Sequence, residues 1–138
     1  MFNRLKQIRK RWVALAGAAL AVFAIPALAQ TGSLAMLDTL AKGEWTITFR
    51  DGSPSKKVCV RSGRELIQIR HEGITCNQIV VQNEASKSAV QYKCRGNDYA
   101  RTDLRRETST LIQITSQGSK DGRDFFLNAE ARRTGVCR

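Results

Sequence analysis

From Gly43 onward the chain consists of short segments whose apolar residues recur at every second position, a period that points to β-structure. In the run Glu44 to Arg50, Trp45, Ile47 and Phe49 share one side, while Glu44, Thr46, Thr48 and Arg50 share the other. That is the pattern of a strand with one wet face. Shorter or longer runs of the same kind come after it: KKVCVR, NQIVVQN, SAVQYKC, DYARTDLRRE, TLIQIT and RDFFLNAEARRTGVC. Turn signals separate most of them, at Glu84-Ala85-Ser86, Gly96-Asn97-Asp98 and Gly118 to Gly122.

No helical pattern interrupts the last five runs, so they predict an antiparallel meander. The expected fold is all-β, about seven strands forming a small barrel or a strongly curved sheet, with a two-sheet sandwich as the alternative. One short amphipathic helix precedes them, with Leu34, Leu37, Leu40 and Ala41 at helical spacing, Ser33 as cap and Gly43 as stop. Ser62 and Glu65 form a capping-box pattern that predicts a single helical turn between the second and third strands. The core expected from alternation is Trp45, Ile47, Phe49, Ile79, Val81, Val90, Tyr92, Leu104, Ile112, Ile114, Phe125 and Leu127.

The first thirty residues read differently. Arg4, Lys6, Arg9, Lys10 and Arg11 precede an apolar stretch from Trp12 to Ile25, then Pro26 and the small-residue site Ala27-Leu28-Ala29. This is the layout of a bacterial secretory signal peptide over residues 1–29, cleaved after Ala29, leaving a single domain over residues 30–138 in the periplasm or outside the cell. No cysteine follows the cleavage site to carry a lipid, so membrane contact is expected only during export. The whole chain has 23 Lys and Arg against 12 Asp and Glu. Five of those bases lie in the leader, so the exported part stays basic, though less strongly.

Four cysteines, Cys59, Cys76, Cys94 and Cys137, lie in the exported part at intervals of 17, 18 and 43 residues. An even count in a small exported domain predicts two disulfides, and the intervals lack the close pairs of a structural zinc site. Strand parity puts Cys94 with Tyr92 and Val90, and Cys137 with Phe125, Leu127 and Ala129, if no bulge intervenes. Cys59 and Cys76 share parity with polar residues. Same-face partners are favoured, so the expected pairs are Cys59–Cys76 and Cys94–Cys137.

With these landmarks in place, the chain from about Leu34 to Arg138 resembles the domain-of-unknown-function family 3617, small exported bacterial proteins. The resemblance rests on Gly43-Glu44-Trp45 as a G-x-W opening, on Cys59, Cys76 and Cys94 in order, and on Gly135-Val136-Cys137 as a G-x-C ending after Arg132-Arg133. It implies an antiparallel β domain and carries no established activity or site residues. The chain departs from the family in lacking a Met/Pro-rich stretch before its first cysteine.

Chemistry-bearing motifs are sparse. The single histidine, His71, sits in RHEGITC, which lacks the second histidine of H-E-x-x-H and reads as solvated loop. There is no G-x-S-x-G, P-loop or G-x-G-x-x-G pattern, and no cofactor or catalytic residue is implied. Arg101, Arg105, Arg123, Arg132 and Arg133 could form a basic outer face for an anionic envelope component, but acids interleave them. Phe126 has outward parity and is the best single contact candidate on that face. Aromatic interleaving for nucleic acid is thin. The expected function is therefore a non-enzymatic domain that binds a small apolar ligand. The alternatives are an envelope-associated structural or interaction protein using the basic face, and a hydrolase-type enzyme using His71.

Overall fold

A computed structural model describes residues 33–138. The expected signal peptide lies outside the described residues. After a one-turn helix, α1 (Ala35–Asp38), come seven strands: β1 (Gly43–Phe49), β2 (Lys56–Val60), β3 (Asn77–Asn83), β4 (Lys87–Lys93), β5 (Tyr99–Thr108), β6 (Leu111–Lys120) and β7 (Arg123–Gly135). They form one antiparallel sheet in the order β2-β1-β7-β6-β5-β4-β3. The meander from β3 to β7 is as expected, and β1 completes it by pairing with β7. The sheet is a curved, open one; it does not close into a barrel, and β2 and β3 are its edges.

One face of the sheet carries the core. Trp45, Ile47, Val90, Leu104, Ile112, Ile114, Leu127 and Ala129 are all buried there. A single sheet needs a second layer to cover that face. Here the cover is α1, through Met36 and Leu37, together with the connection between β2 and β3, through Leu66, Ile67 and Ile69. That connection contains the expected single turn, a 3-10 helix at Arg64–Leu66, with the Glu65 carboxylate accepting from the Ser62 backbone N–H. Gly63 just before it is left-handed (φ 82°), and a Cβ there would lie 2.8 Å from Leu37 Cβ. Glycine thus lets α1 and the turn share the space a barrel would otherwise enclose.

The cap of α1 differs from expectation. Ser33 makes no capping bond; the Asn83 side chain does, accepting from Ala35 N at 2.9 Å and donating to the Ser33 carbonyl at 2.8 Å. The start of the described chain is thereby tied to the end of β3. Two polar groups inside the core are similarly paired. Trp45 Nε1 donates to the Ala41 carbonyl at 2.9 Å, and Thr102 Oγ1 donates to the Ile67 carbonyl at 2.7 Å.

The disulfides overturn the expected pairing. The bonds are Cys59–Cys137 and Cys76–Cys94, not Cys59–Cys76 and Cys94–Cys137. Between β1 and β7 the register shifts: Trp45 faces Arg133 while Glu44 faces Gly135, so Thr134 is an extra residue. Each inserted residue reverses the parity of the rest of its strand. Cys137 is therefore carried off the core face to the side of Glu44, whose β2 neighbour is Cys59. The bond fastens the segment after β7 to the edge strand β2, with Cα atoms 5.4 Å apart.

In β3 the shift falls between Val80 and Gln82. Ahead of it, Gln78 faces Tyr92 and Val80 faces Val90, so the core-side row of β3 runs back through Gln78 to Cys76, opposite Cys94. That row also corrects the expected core, because Val80 rather than Ile79 faces Val90. Ile79 is 67% and Val81 46% exposed, outside the core rather than in it. Phe49 and Phe125 are partly buried and pack against the core edge.

Candidate functional site

The outer face of the sheet, opposite the core, holds two depressions. The cross-strand row Ile79–Gln91–Arg101–Gln117–Phe126 runs over five strands. The next row holds Asn77, Lys93, Tyr99, Ser119 and Asp124. Between these rows lies a groove of about 820 Å³, walled by Ile79, Tyr99 and Phe125 and edged by Lys93, Arg101 and Asp124. Small residues make its floor low. At Gly118 a Cβ would lie 2.1 Å from the Tyr99 carbonyl and 2.6 Å from Ala100 Cα, so any larger residue would displace the neighbouring strand. A second, polar depression of about 520 Å³ includes Arg50, Asp103, Arg105 and Gln113. The Arg101–Asp103 ion pair, 2.8 Å long, stands between the two.

The groove is electrostatically polarised. Lys93 lies on β4 and Asp124 on β7, three strands apart in one row, or about 14 Å at ordinary strand spacing. Arg101 is engaged by Asp103, whose hydrogen bond and charge raise its pKa. Among the described residues Lys93 makes no ion pair, so its ammonium is the cation open to an incoming group.

The five arginines read as a basic face do not converge. Arg101 pairs with Asp103, Arg105 with Glu107 at 3.0 Å, and Arg132 with Glu130 at 3.1 Å. Hydrogen bonds from Gln113 and Arg132 hold the Glu130 carboxyl below the usual carboxylate range. Arg133 Nε donates to the Lys42 carbonyl at 2.8 Å. Arg123 opens β7 and Arg132 stands near its far end, nine residues or about 30 Å away. Only Arg101 borders the groove. Phe126 does point outward, 64% exposed, at the β7 end of the row that Ile79 begins.

His71 is the largest departure from expectation at a chemistry-bearing residue. It is fully buried, not solvated. Its Nε2 lies 3.2 Å from the Ser119 carbonyl and its Nδ1 lies 3.0 Å from Tyr92 Oη. A carbonyl can only accept, so Nε2 carries a proton, and with that tautomer Nδ1 accepts from the Tyr92 hydroxyl. Both ring nitrogens are thus hydrogen-bonded. The nearest carboxylate, Asp98, is 3.7 Å from Nε2, beyond hydrogen-bond reach. The ring packs edge-on against Tyr92 and tilted against Phe125, two residues whose strands line the groove. His71 therefore supports the groove from within and does not face it. A signal existed: Leu66, Ile67 and Ile69 just before it mark a segment bound for the core.

Burial pushes the Tyr92 phenol up to about 12, against the opposing pull of the Thr102 and Ser116 hydroxyls. The unfolded chain ionises its tyrosine near 10, so this contribution to stability is complete below pH 10 and is lost as pH rises toward 12. Denaturant titrations across that window should show wild type losing on the order of 2 kcal/mol more than Tyr92→Phe. Parallel losses in the two proteins would contradict the burial of this hydroxyl.

Among the described residues, no group of three or more His, Cys, Asp or Glu side chains could hold a metal ion. No family model, characterised protein or solved structure matches the chain. The two disulfides suit an oxidising compartment outside the cytoplasm.

Proposed function

We propose that this is an exported periplasmic domain that binds a small amphipathic anion, an apolar body with one carboxylate or sulfonate, in the outer-face groove. The observation that carries the reading is the juxtaposition of Ile79, Tyr99 and Phe125 with the unpaired Lys93 ammonium in one groove of about 820 Å³. Ligand sites of this size combine apolar walls with a few polar groups that fix orientation. The core face of the sheet is packed by α1 and the β2–β3 connection. In this reading the ligand lies on the sheet rather than inside it, unlike the enclosed cavity a barrel would have supplied. The leader-like residues 1–29 and the resemblance to family 3617 fit export, and neither names a ligand.

Titration with 8-anilinonaphthalene-1-sulfonate tests the reading, since the probe joins an aromatic body to one anion. Wild type should bind it with saturable fluorescence gain. Tyr99→Ala and Lys93→Gln should each weaken binding about tenfold, as expected for losing one buried ring face or one charge contact. Phe126→Ala, outside the groove lining, should leave it unchanged, and all three variants should keep the wild-type melting temperature. Absence of saturable binding to wild type, or equal weakening by Phe126→Ala, would overturn the assignment.

A further inference from the structure

The second depression of the outer face differs from the groove in lacking an apolar wall. Its only apolar lining residue, Leu104, belongs to the core on the other face. The register explains the rest of the lining. Lys87, Arg105 and Gln113 stand in one cross-strand row over β4, β5 and β6. Two residues along, Asp103, Thr115 and Asn128 form a parallel row over β5, β6 and β7. Arg50, just past β1, closes that row, its backbone N–H donating to the Asn128 carbonyl at 2.9 Å.

Four charged side chains line the depression, and two of them are matched. The Asp103 carboxylate accepts from Arg101 Nε at 2.9 Å and from Nη2 at 2.8 Å. Arg105 pairs with Glu107 at 3.0 Å. Among the described residues Arg50 and Lys87 make no ion pair. The acids around them are engaged elsewhere. Glu130 accepts from Gln113 at 3.2 Å and from Arg132 at 3.1 Å. Glu84 accepts from Gln82 at 2.6 Å. Arg50 instead donates through Nη2 to the neutral Gln113 amide oxygen at 2.7 Å. That bond fixes one corner of a five-donor guanidinium and leaves the cation without a carboxylate in contact. It also brings the guanidinium to Gln113 on β6, two strands from Lys87, or about 10 Å at ordinary strand spacing.

Between these two cations the surface offers groups that both donate and accept, the Gln113 and Asn128 amides and the Thr115 hydroxyl. The Asp103 oxygens add acceptors. A ligand suited to this surface carries hydroxyls along its length and an anionic group toward each end. A volume of about 520 Å³ lies within the range of small-molecule sites. We propose that the depression between Arg50 and Lys87 is a second ligand site, for an acidic saccharide bearing a carboxylate on each of two sugar units. Arginine is suited to the carboxylate at one end, and the Lys87 ammonium meets the other as a point charge. The site is separate from the groove, which lies beyond the Arg101–Asp103 pair.

Isothermal titration of the disulfide-bonded protein with digalacturonate at low ionic strength tests the proposal. Wild type should bind it saturably. Galacturonate, with one carboxylate, should bind at least about fivefold more weakly, and neutral lactose should not bind. Arg50→Gln and Lys87→Gln should each weaken digalacturonate binding about fivefold. Both side chains are exposed, so the variants should keep the wild-type melting temperature. They should also bind 8-anilinonaphthalene-1-sulfonate as wild type does, and digalacturonate should not displace that probe. Should either variant melt lower, amide chemical shifts of wild type decide: digalacturonate should move Arg105, Gln113 and Thr115 and leave Lys93 and Tyr99 in place. Absence of saturable digalacturonate binding overturns the proposal. So do equal affinity for galacturonate or lactose, unchanged affinity in both variants, displacement of the naphthalene probe, and shifts confined to the groove.

Discussion

Replacing Cys59 and Cys137 together by serine should cost the folded domain about 4 kcal/mol, the larger of the two disulfide losses. The bond joins residues 78 apart, against 18 for Cys76–Cys94. In the loop-entropy account the first closure is worth about 4.5 kcal/mol and the second about 3 kcal/mol. For a domain of roughly 100 residues, 4 kcal/mol corresponds to a melting-temperature drop on the order of 20 °C. It is also a large part of the 5–15 kcal/mol typical of whole domains. The bond acts where the sheet is otherwise weakest, since β2 pairs only with β1, and β7 ends beside the bulge at Thr134. Without it β2 and the last residues of β7 can part from β1 together. The single variant Cys137→Ser tests the pairing itself: alkylation should then label Cys59. Labelling of Cys94 would restore the pairing expected from parity, and an unchanged melting temperature in the double variant would refute the stabilising role.

The strands that anchor this fold were legible because their alternation is undisturbed. Trp45 and Ile47, Ile112 and Ile114, and Leu104 each sit on the core face where a period of two puts them. Parity is a cumulative count, so one bulge corrupts every residue after it, and Thr134 does this to Cys137. Nothing in local composition marks that bulge. In β3 the difficulty is different: Ile79, Val80 and Val81 are all apolar, so the local pattern does not say which row faces the core. Choosing the row of Ile79 hid the site, because Ile79 walls the groove. A different limit applied to Arg101, Arg105 and Arg132. Their same-face acids at positions 103, 107 and 130 were visible in the sequence, and two-residue spacing along a strand places each pair side by side. The neutralised face is a consequence of those spacings. The groove required knowing which five strands lie next to one another.

The second large effect is expected at His71. His71→Leu keeps an apolar side chain of moderate size at a fully buried position but supplies neither hydrogen bond. The Ser119 carbonyl loses its side-chain donor, and the Tyr92 hydroxyl loses its acceptor. A buried polar group stripped of its partner costs about 1–3 kcal/mol, so the variant should lose about 2–5 kcal/mol overall. The partners are coupled, which gives a sharper test than the single loss. Tyr92→Phe removes the hydroxyl that Nδ1 accepts from, so the double variant should be less destabilised than the two single losses added together, by at least about 0.5 kcal/mol. A supporting role also predicts the order of failure. Tyr92 and Phe125 pack on His71 and are also among the residues lining the groove, so binding of the anilinonaphthalene sulfonate should weaken in step with stability. At a temperature where the variant is fully folded, the probe should still bind. Additive single effects, or loss of binding in a folded His71→Leu protein with an intact groove, would show that the imidazole does something other than hold this corner of the core together.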